Sequence, residues 1–143
     1  MPQFSRRVLY MSTQPASIRA QLAGARLTRE ETGPLRDDVS TDEITPIPVL
    51  VHFDQALGRY PYVGLQVGGE RPIGRDAIRD AGIEVVVAGR RWGKGSSREH
   101  SPVAERAAAV RLVIAESFER IYRQNADNVG LFTSTDFGLI ERI

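Results

Sequence analysis

The chain has 143 residues, a net charge of +1 and no cysteine. Its length predicts a single domain with a substantial core. The absence of cysteine excludes disulfides, a thiolate nucleophile and any iron–sulfur cluster held by cysteines of this chain. Two histidines leave little for a histidine-built metal site. A nucleic-acid-binding domain usually carries a basic surplus, which a charge of +1 does not provide.

The first predicted elements are a strand at residues 7–11 and a helix at residues 15–22. Pro15 suits the first turn of that helix, and Gly24 follows its end. Residues 27–38 are polar, and we expect them to be irregular.

The strongest strand signal is the β-branched run at residues 83–88, which indicates burial on both faces of a sheet. The other predicted elements are a β-type run within 46–53, a strand at 60–67, a helix at 75–81, a helix over 102–109, a strand at 110–115, a helix at 118–128 and a strand at 131–133. A strand, loop, helix and strand in this order resemble a parallel crossover. We therefore expect an α/β fold with a mixed sheet.

No apolar run approaches the roughly 20 residues of a membrane-spanning helix. The first 11 residues contain arginines but neither a long apolar stretch nor a small-residue cleavage site, so they do not predict a signal peptide. We therefore expect a cytoplasmic protein.

The most informative segment is the glycine-rich loop GRRWGKGSSREHSP at residues 89–102. It combines glycines, two hydroxyls, an arginine and Lys94, the chain's sole lysine, before a predicted helix whose N-terminal N–H groups favour an anion. The loop therefore predicts a carboxylate or phosphate site. A structural alternative is that Ser96 and Ser97 cap the helix while Arg98 and Glu99 form a solvated pair.

Nucleotide-binding motifs do not fit this loop. A phosphate-binding loop needs four residues between its glycines, then lysine and serine or threonine. Here three residues separate Gly89 from Gly93, and Gly95 follows the lysine. In the dinucleotide fingerprint, Arg98 would occupy the third glycine position.

Residues 95–100, GSSREH, resemble the signature of the aconitase superfamily swivel domain, which is also the small subunit of 3-isopropylmalate dehydratase. Three further segments resemble the family in order and spacing: DVSTDEITP at 38–46, the strand at 83–89, and SFERIYRQNADNVG at 117–130. The resemblance covers about residues 37–135. Four motifs in register are far more specific than one.

This resemblance implies a β/β/α swivel domain with a mixed, partly closed β-sheet flanked by helices. It also implies a hydro-lyase that reversibly dehydrates and rehydrates a hydroxy di- or tricarboxylate, such as an isopropylmalate-like or aconitate-like acid. By motif match, Ser96 would be the catalytic base that takes a proton from the carbon next to a carboxylate. Ser97 and Arg98 would hold substrate carboxylate oxygens. Gly95 and Lys94, beside them in the loop, are further candidate substrate-binding residues.

Three further residues would support this site. Thr41 and Asp42 in the first motif could orient a catalytic group, although capping a turn is an alternative for Asp42. His100 is expected to form hydrogen bonds behind the site rather than to ligate a metal. Trp92 would either line the pocket or plug the edge of the core.

The resemblance places part of the reaction on another unit. No cofactor is expected on this chain, and a [4Fe–4S] cluster that binds the departing hydroxyl is expected on a large subunit or catalytic domain. Without that partner the chain would be inactive. The other expected partner is a small polycarboxylate, with no nucleic acid and no membrane. Because small subunits usually extend beyond a point matching Ile143, residues 1–143 are interpreted as one swivel domain that could be a fragment of a fused enzyme.

Two positions depart from the family pattern. Many aconitases have a substrate-contacting arginine after the T-D-x-I-x-P segment, whereas residues 51–54 contain none and Arg59 is the nearest candidate. Lys94 stands where relatives often have glutamate or cysteine. It could sense the far end of the substrate or lower the pKa of the serine, or its side chain could point to solvent.

Two other functions remain as alternatives. A non-catalytic anion-binding or regulatory domain could keep this loop and lose the chemistry, but the intact Ser96, Ser97 and Arg98 favour the enzyme. RNA binding, which some aconitase relatives show, is disfavoured by the low net charge and the lack of a basic run.

Overall fold

In the part of the chain that the structure describes, four short strands form one sheet in the order β1-β2-β3-β4, and every neighbouring pair is parallel. The computed structural model describes residues 7–46, 54–95 and 100–142. Its strands are Val8–Tyr10 (β1), Val85–Ala88 (β2), Leu112–Ala115 (β3) and Phe132–Ser134 (β4). Its helices are Pro15–Leu22 (α1), Thr41–Ile44 (α2), Ala77–Ala81 (α3), His100–Ala107 (α4), Arg120–Val129 (α5) and Leu139–Arg142 (α6), with a 3₁₀ helix at Asp54–Arg59.

The interior strand β2 is buried along its whole length. Val86 packs into the large core, whereas Val85 and Val87 pack with Ile114 on the opposite face. Both faces of this strand are thus covered by apolar side chains, as the β-branched run predicted. The carboxyl end of β2 leads directly into the glycine-rich loop.

The expected α/β class, with a sheet flanked by helices, is confirmed. The four strands near residues 7–11, 83–88, 110–115 and 131–133 and the helices near 15–22, 75–81, 102–109 and 118–128 all form within a few residues of their predicted bounds. In the described residues, antiparallel pairing occurs only as the isolated bridges Ser12–Leu35 and Val67–Glu70. We expected a mixed sheet, whereas the four described strands pair only in parallel.

The predicted strand at residues 60–67 is wrong, because this segment folds as turns under α2. Tyr62 has a φ of +69°, which breaks an extended chain. Its N–H donates to the Ile44 carbonyl at 2.9 Å, and its own carbonyl accepts from the Leu65 N–H at 3.0 Å. The alternating apolar pattern therefore reflects packing beneath a helix. The β-type run at residues 49–51 lies outside the described residues.

Close packing joins the 3₁₀ helix to α4. Leu57 packs with Ala104 in a small apolar cluster. Gly58 lies against the end of α4, where a Cβ on this glycine would be 2.7 Å from the Ala107 carbonyl carbon. The 3₁₀ helix therefore packs directly against α4, and this contact leaves no room for a methyl group on Gly58.

We expect Gly58→Ala to destabilise the fold by about 1–3 kcal/mol, because the new methyl group would force the 3₁₀ helix away from the Ala107 backbone. Gly74→Ala is the matched control, since a Cβ there meets nothing within 4 Å. Urea unfolding measures both. Equal stabilities of the two variants would contradict the packing described for the 3₁₀ helix.

Candidate functional site

The glycine-rich loop is held in place by backbone hydrogen bonds to the segment that contains the first family motif. The Gly93 N–H donates to the Val39 carbonyl at 2.8 Å, and the Thr41 N–H donates to the Lys94 carbonyl at 2.8 Å. Ser40 and Lys94 form an isolated parallel bridge. Two motifs about 50 residues apart in sequence therefore lie side by side.

Ion pairs on the surface add to this alignment. The Asp37 carboxylate accepts from the Arg90 N–H at 2.7 Å and lies 3.3 Å from its guanidinium. Arg91 contacts both Asp38 and Glu119. The backbone hydrogen bond from Arg90 is the main cause that lowers the pKa of Asp37. These side chains are largely exposed, so they contribute little stability and chiefly fix the register of the loop.

The structure brings three of the predicted site residues together. Gly95 has a φ of +105°, and a Cβ on it would lie 3.6 Å from Thr41 Oγ1. Thr41 is buried at the start of α2, whereas Lys94 and Gly95 are exposed. The Lys94 side chain is therefore accessible to solvent beside the start of the signature.

Asp42 and His100 lie in the first turns of α2 and α4. Asp42 is exposed in the first turn of α2, and the cap of that helix is Ser40, whose Oγ accepts from the Glu43 N–H at 3.1 Å. The Glu43 carboxylate accepts from the Ser40 N–H in return, which completes a capping box. His100 is partly exposed in the first turn of α4.

The residues expected to perform the chemistry, Ser96, Ser97 and Arg98, lie outside the described residues together with Glu99. Their roles stay predictions. The residues on each side, Gly95 and His100, are described.

A buried pair of hydroxyls, which the sequence analysis missed, ties α4 to α2. Ser101 Oγ lies 2.8 Å from Thr45 Oγ1 and donates to the Thr41 carbonyl at 3.3 Å. Ser101 and Thr45 have no exposed surface. This pair positions the first turn of α4 against the Thr41 segment.

A buried carboxylate lies one turn further along α4. Glu105 is completely buried and accepts hydrogen bonds from the hydroxyls of Tyr62 and Tyr122, the latter at 2.5 Å. Burial raises the pKa of Glu105 to about 7, although the two phenol hydrogen bonds lower it. Burial also raises the pKa of both tyrosines well above the usual value.

Trp92 plugs the core instead of lining an open pocket. It is 1% exposed and makes edge-to-face contacts with Tyr62 and Tyr122, with ring centroids 5.8 and 6.4 Å apart. The sequence did carry a signal for the burial of Glu105. Residues 101, 104, 105 and 108 have the spacing of one buried helix face, and all four are buried.

Arg59, the sequence-based candidate for the missing aconitase arginine, is held by Asp76. Its Nε lies 3.1 Å from Asp76 Oδ1, and a second guanidinium nitrogen lies 3.1 Å from Oδ2. This bidentate contact is the leading cause that lowers the pKa of Asp76. Arg59 therefore acts in the described structure as a brace before α3.

An open cleft of about 620 Å³ lies where β2 and β3 end, the edge at which parallel sheets commonly bind ligands. Its lining residues are Arg29, Pro34, Leu35, Asp37, Arg90, Glu116 and Ser117. The cleft carries charges of both signs, and Arg90 joins it to the glycine-rich loop.

Within residues 7–46, 54–95 and 100–142, no group of three or more histidine, aspartate or glutamate side chains could hold a metal ion. The whole chain lacks cysteine, so its donor set does not fit a thiolate-ligated cluster. In the same part of the chain, every helix is too short or too polar to cross a bilayer.

The raised pKa of Glu105 predicts that stability falls as pH rises. The unfolded chain ionises this carboxyl above about pH 4.5, whereas the folded chain keeps the proton to about pH 7. The folded state is therefore favoured most below pH 4.5, and a contribution on the order of 3 kcal/mol is lost by the time the pH has passed 7.

Urea unfolding between pH 5 and pH 8 measures this slope. Glu105→Gln should flatten it, whereas Glu116→Gln, at the exposed cleft, should keep the slope of the unaltered chain. Identical slopes in all three proteins would show that Glu105 does not titrate in this range.

Comparison with known proteins connects this geometry to a family. Residues 74–135 match the family model of the aconitase C-terminal domain. The chain is 42% identical over 96 residues to the 3-isopropylmalate dehydratase small subunit of Pyrobaculum calidifontis, covering 66% of this chain and 55% of that protein. It is 56% identical over 96 residues to the corresponding subunit of Halothermothrix orenii, covering 66% and 54%.

The fold shows the same relationship. The crystal structure of 3-isopropylmalate dehydratase (leuD) from Methanocaldococcus jannaschii superposes with a TM-score of 0.54 at 37% identity, covering 68% of this chain and 55% of that one. This chain thus spans little more than half the length of these relatives. The resemblance inferred from the four motifs is confirmed, and this chain carries a swivel domain of the aconitase superfamily, of the kind found in 3-isopropylmalate dehydratase small subunits.

Proposed function

We propose that this chain is the swivel part of a hydro-lyase that reversibly dehydrates a hydroxy di- or tricarboxylate of the isopropylmalate class. The observation that supports this most directly is the pairing of the two family motifs, in which Thr41 lies beside Gly95 at the entrance to the GSSREH signature. The names of the relatives point to the same reaction. Residues 1–143 would act as one such domain.

In this proposal Ser96 is the catalytic base. It removes the proton from the carbon next to a substrate carboxylate, the hydroxyl leaves from the neighbouring carbon, and a carbon–carbon double bond forms. A serine can take this role only where positive charge stabilises its alkoxide. Lys94 and Arg98 lie two residues to either side in sequence, and the N-terminal end of α4 follows.

Substrate recognition is assigned to the residues around the base. The Arg98 guanidinium would bind a carboxylate through two parallel hydrogen bonds, and Ser97 and the Gly95 backbone would supply further donors. The exposed Lys94 would face the distal end of the substrate. Thr41 and His100 support this segment from both sides.

The departing hydroxyl requires a group that this chain does not carry. Because the chain has no cysteine, we propose that a [4Fe–4S] cluster on a large subunit or catalytic domain accepts it. The functional unit is then the assembled enzyme, with this domain closing over the cluster-bearing partner.

The assignment of the base is tested with Ser96→Ala in the assembled enzyme. We expect kcat to fall by about 10²- to 10⁴-fold while KM changes much less, because a general base acts in the transition state. Steady-state kinetics on 3-isopropylmalate measure both constants. Ser134→Ala, a hydroxyl removed from β4, is the matched control and should keep the kcat of the unaltered enzyme. An unchanged kcat in Ser96→Ala would place the base elsewhere.

The carboxylate clamp is tested with Arg98→Lys. We expect KM to rise by about 10- to 100-fold, because an ammonium is a point charge and does not replace the planar fork. Isothermal titration of the assembled enzyme with substrate measures the same loss. Unchanged binding would remove Arg98 from the site. Carboxylate binding with no turnover in any assembly would instead favour the non-catalytic anion-binding domain.

A further inference from the structure

The buried carboxylate of Glu105 is an unusual feature of the core beneath the proposed site. Among the described residues, the titratable groups that face it are two phenols, Tyr62 from the turn segment and Tyr122 from α5. A buried ionisable side chain costs stability relative to an apolar side chain of similar volume. Glu105 therefore needs an explanation other than core packing.

The geometry around Tyr122 supplies one. Gly93 has a φ of +85°, and a Cβ on it would overlap the Cβ and Cγ atoms of Tyr122. The Tyr122 side chain thus lies directly on the backbone of the glycine-rich loop while its hydroxyl donates to Glu105 at 2.5 Å. Tyr122 connects the loop before the signature to the helix after it.

Together with the covalent chain, the Tyr122 contacts form a closed circuit from Gly93 to Glu105 and back. The covalent chain runs from Gly93 through the signature to α4, and Tyr122 joins Glu105 on α4 back to Gly93. Trp92, the residue before Gly93, is held between Tyr62 and Tyr122, which both donate to the same carboxylate. The segment before the signature is thus linked to Glu105 through Tyr122, and the segment after it is linked through α4.

We propose that Glu105 is a positioning residue, which holds the two ends of the GSSREH segment at a fixed separation through Tyr122 and Tyr62. The expected effect on turnover rests on the proposed function, whereas the hydrogen bonds from Tyr122 and Tyr62 to Glu105 do not depend on it. Ionised acceptors form shorter and stronger hydrogen bonds than neutral ones. The carboxylate thus holds the two phenols, and Trp92 between them, more tightly than an amide would.

The kinetic test uses Glu105→Gln and Tyr122→Phe in the assembled enzyme. Each should lower kcat about tenfold and change KM by less than about threefold, because the substrate contacts remain and the alignment of the base is lost. The double variant should lose no more than Glu105→Gln alone, since both changes break one linkage. Tyr10→Phe removes a buried phenol from β1 and is the matched control, with the kcat of the unaltered enzyme.

A second readout does not depend on turnover. Trp92 is the chain's sole tryptophan, so 5-fluorotryptophan places one fluorine in this domain, and a Trp92→Phe variant assigns its ¹⁹F resonance in the assembled enzyme. The resonance should shift with pH as Glu105 ionises, and the kcat of the unaltered enzyme should rise across the same range. Both changes should be absent from Glu105→Gln.

The outcomes separate this inference from the proposed function. A pH-independent Trp92 resonance, or a kcat in Glu105→Gln equal to that of the unaltered enzyme, would overturn the positioning role. A normal kcat in Ser96→Ala, with the Trp92 shift retained, would overturn the proposed base and leave the linkage standing. A loss of folding in Glu105→Gln would leave Tyr122→Phe to decide, because that variant keeps the ring against Gly93.

Discussion

The architecture of the site depends on the backbone pairing between residues 39–41 and residues 93–94. These hydrogen bonds join the start of α2 to the loop after β2, two segments that lie about 50 residues apart in the sequence. The loop can run along its partner because Gly93 and Gly95 adopt positive φ angles. The pairing places Lys94 and Gly95, the last described residues before the signature serines, beside Thr41.

Around it the molecule combines two kinds of stabilisation. The sheet and its apolar faces supply the free energy of folding through burial, with β2 covered on both sides. The polar contacts near the loop orient the helices relative to the loop and contribute less to the free energy of folding. Ser101 and Thr45 align α4 with α2, and Glu105 aligns α4 with the loop, at the cost of a buried carboxyl whose pKa is raised to about 7.

Much of this was predictable from the sequence, because strong local signals coincide with tertiary structure. The β-branched run gave β2, Pro15 and Gly24 bounded α1, and four motifs in register gave the family. The predicted strand at residues 60–67 failed because alternation of apolar residues also arises in turns that pack under a helix, where Tyr62 takes a positive φ.

The partners of Glu105 were not predictable, since Tyr62 and Tyr122 lie 43 residues before it and 17 residues after it. The helical spacing that buries Glu105 was visible, but a pairing that depends on the fold was not. Likewise, the sequence suggested Arg59 as a substrate contact, and only the three-dimensional arrangement shows its bidentate pair with Asp76.

Reconstitution tests whether this chain is the swivel part of a two-component hydro-lyase. This chain is mixed with a cluster-bearing large subunit of a 3-isopropylmalate dehydratase, and the unsaturated product is followed by its ultraviolet absorbance. Product formation that requires both components is the predicted result. Product formation by the large subunit alone at the same rate, or by this chain alone, would show that this chain is not the swivel part of such an enzyme.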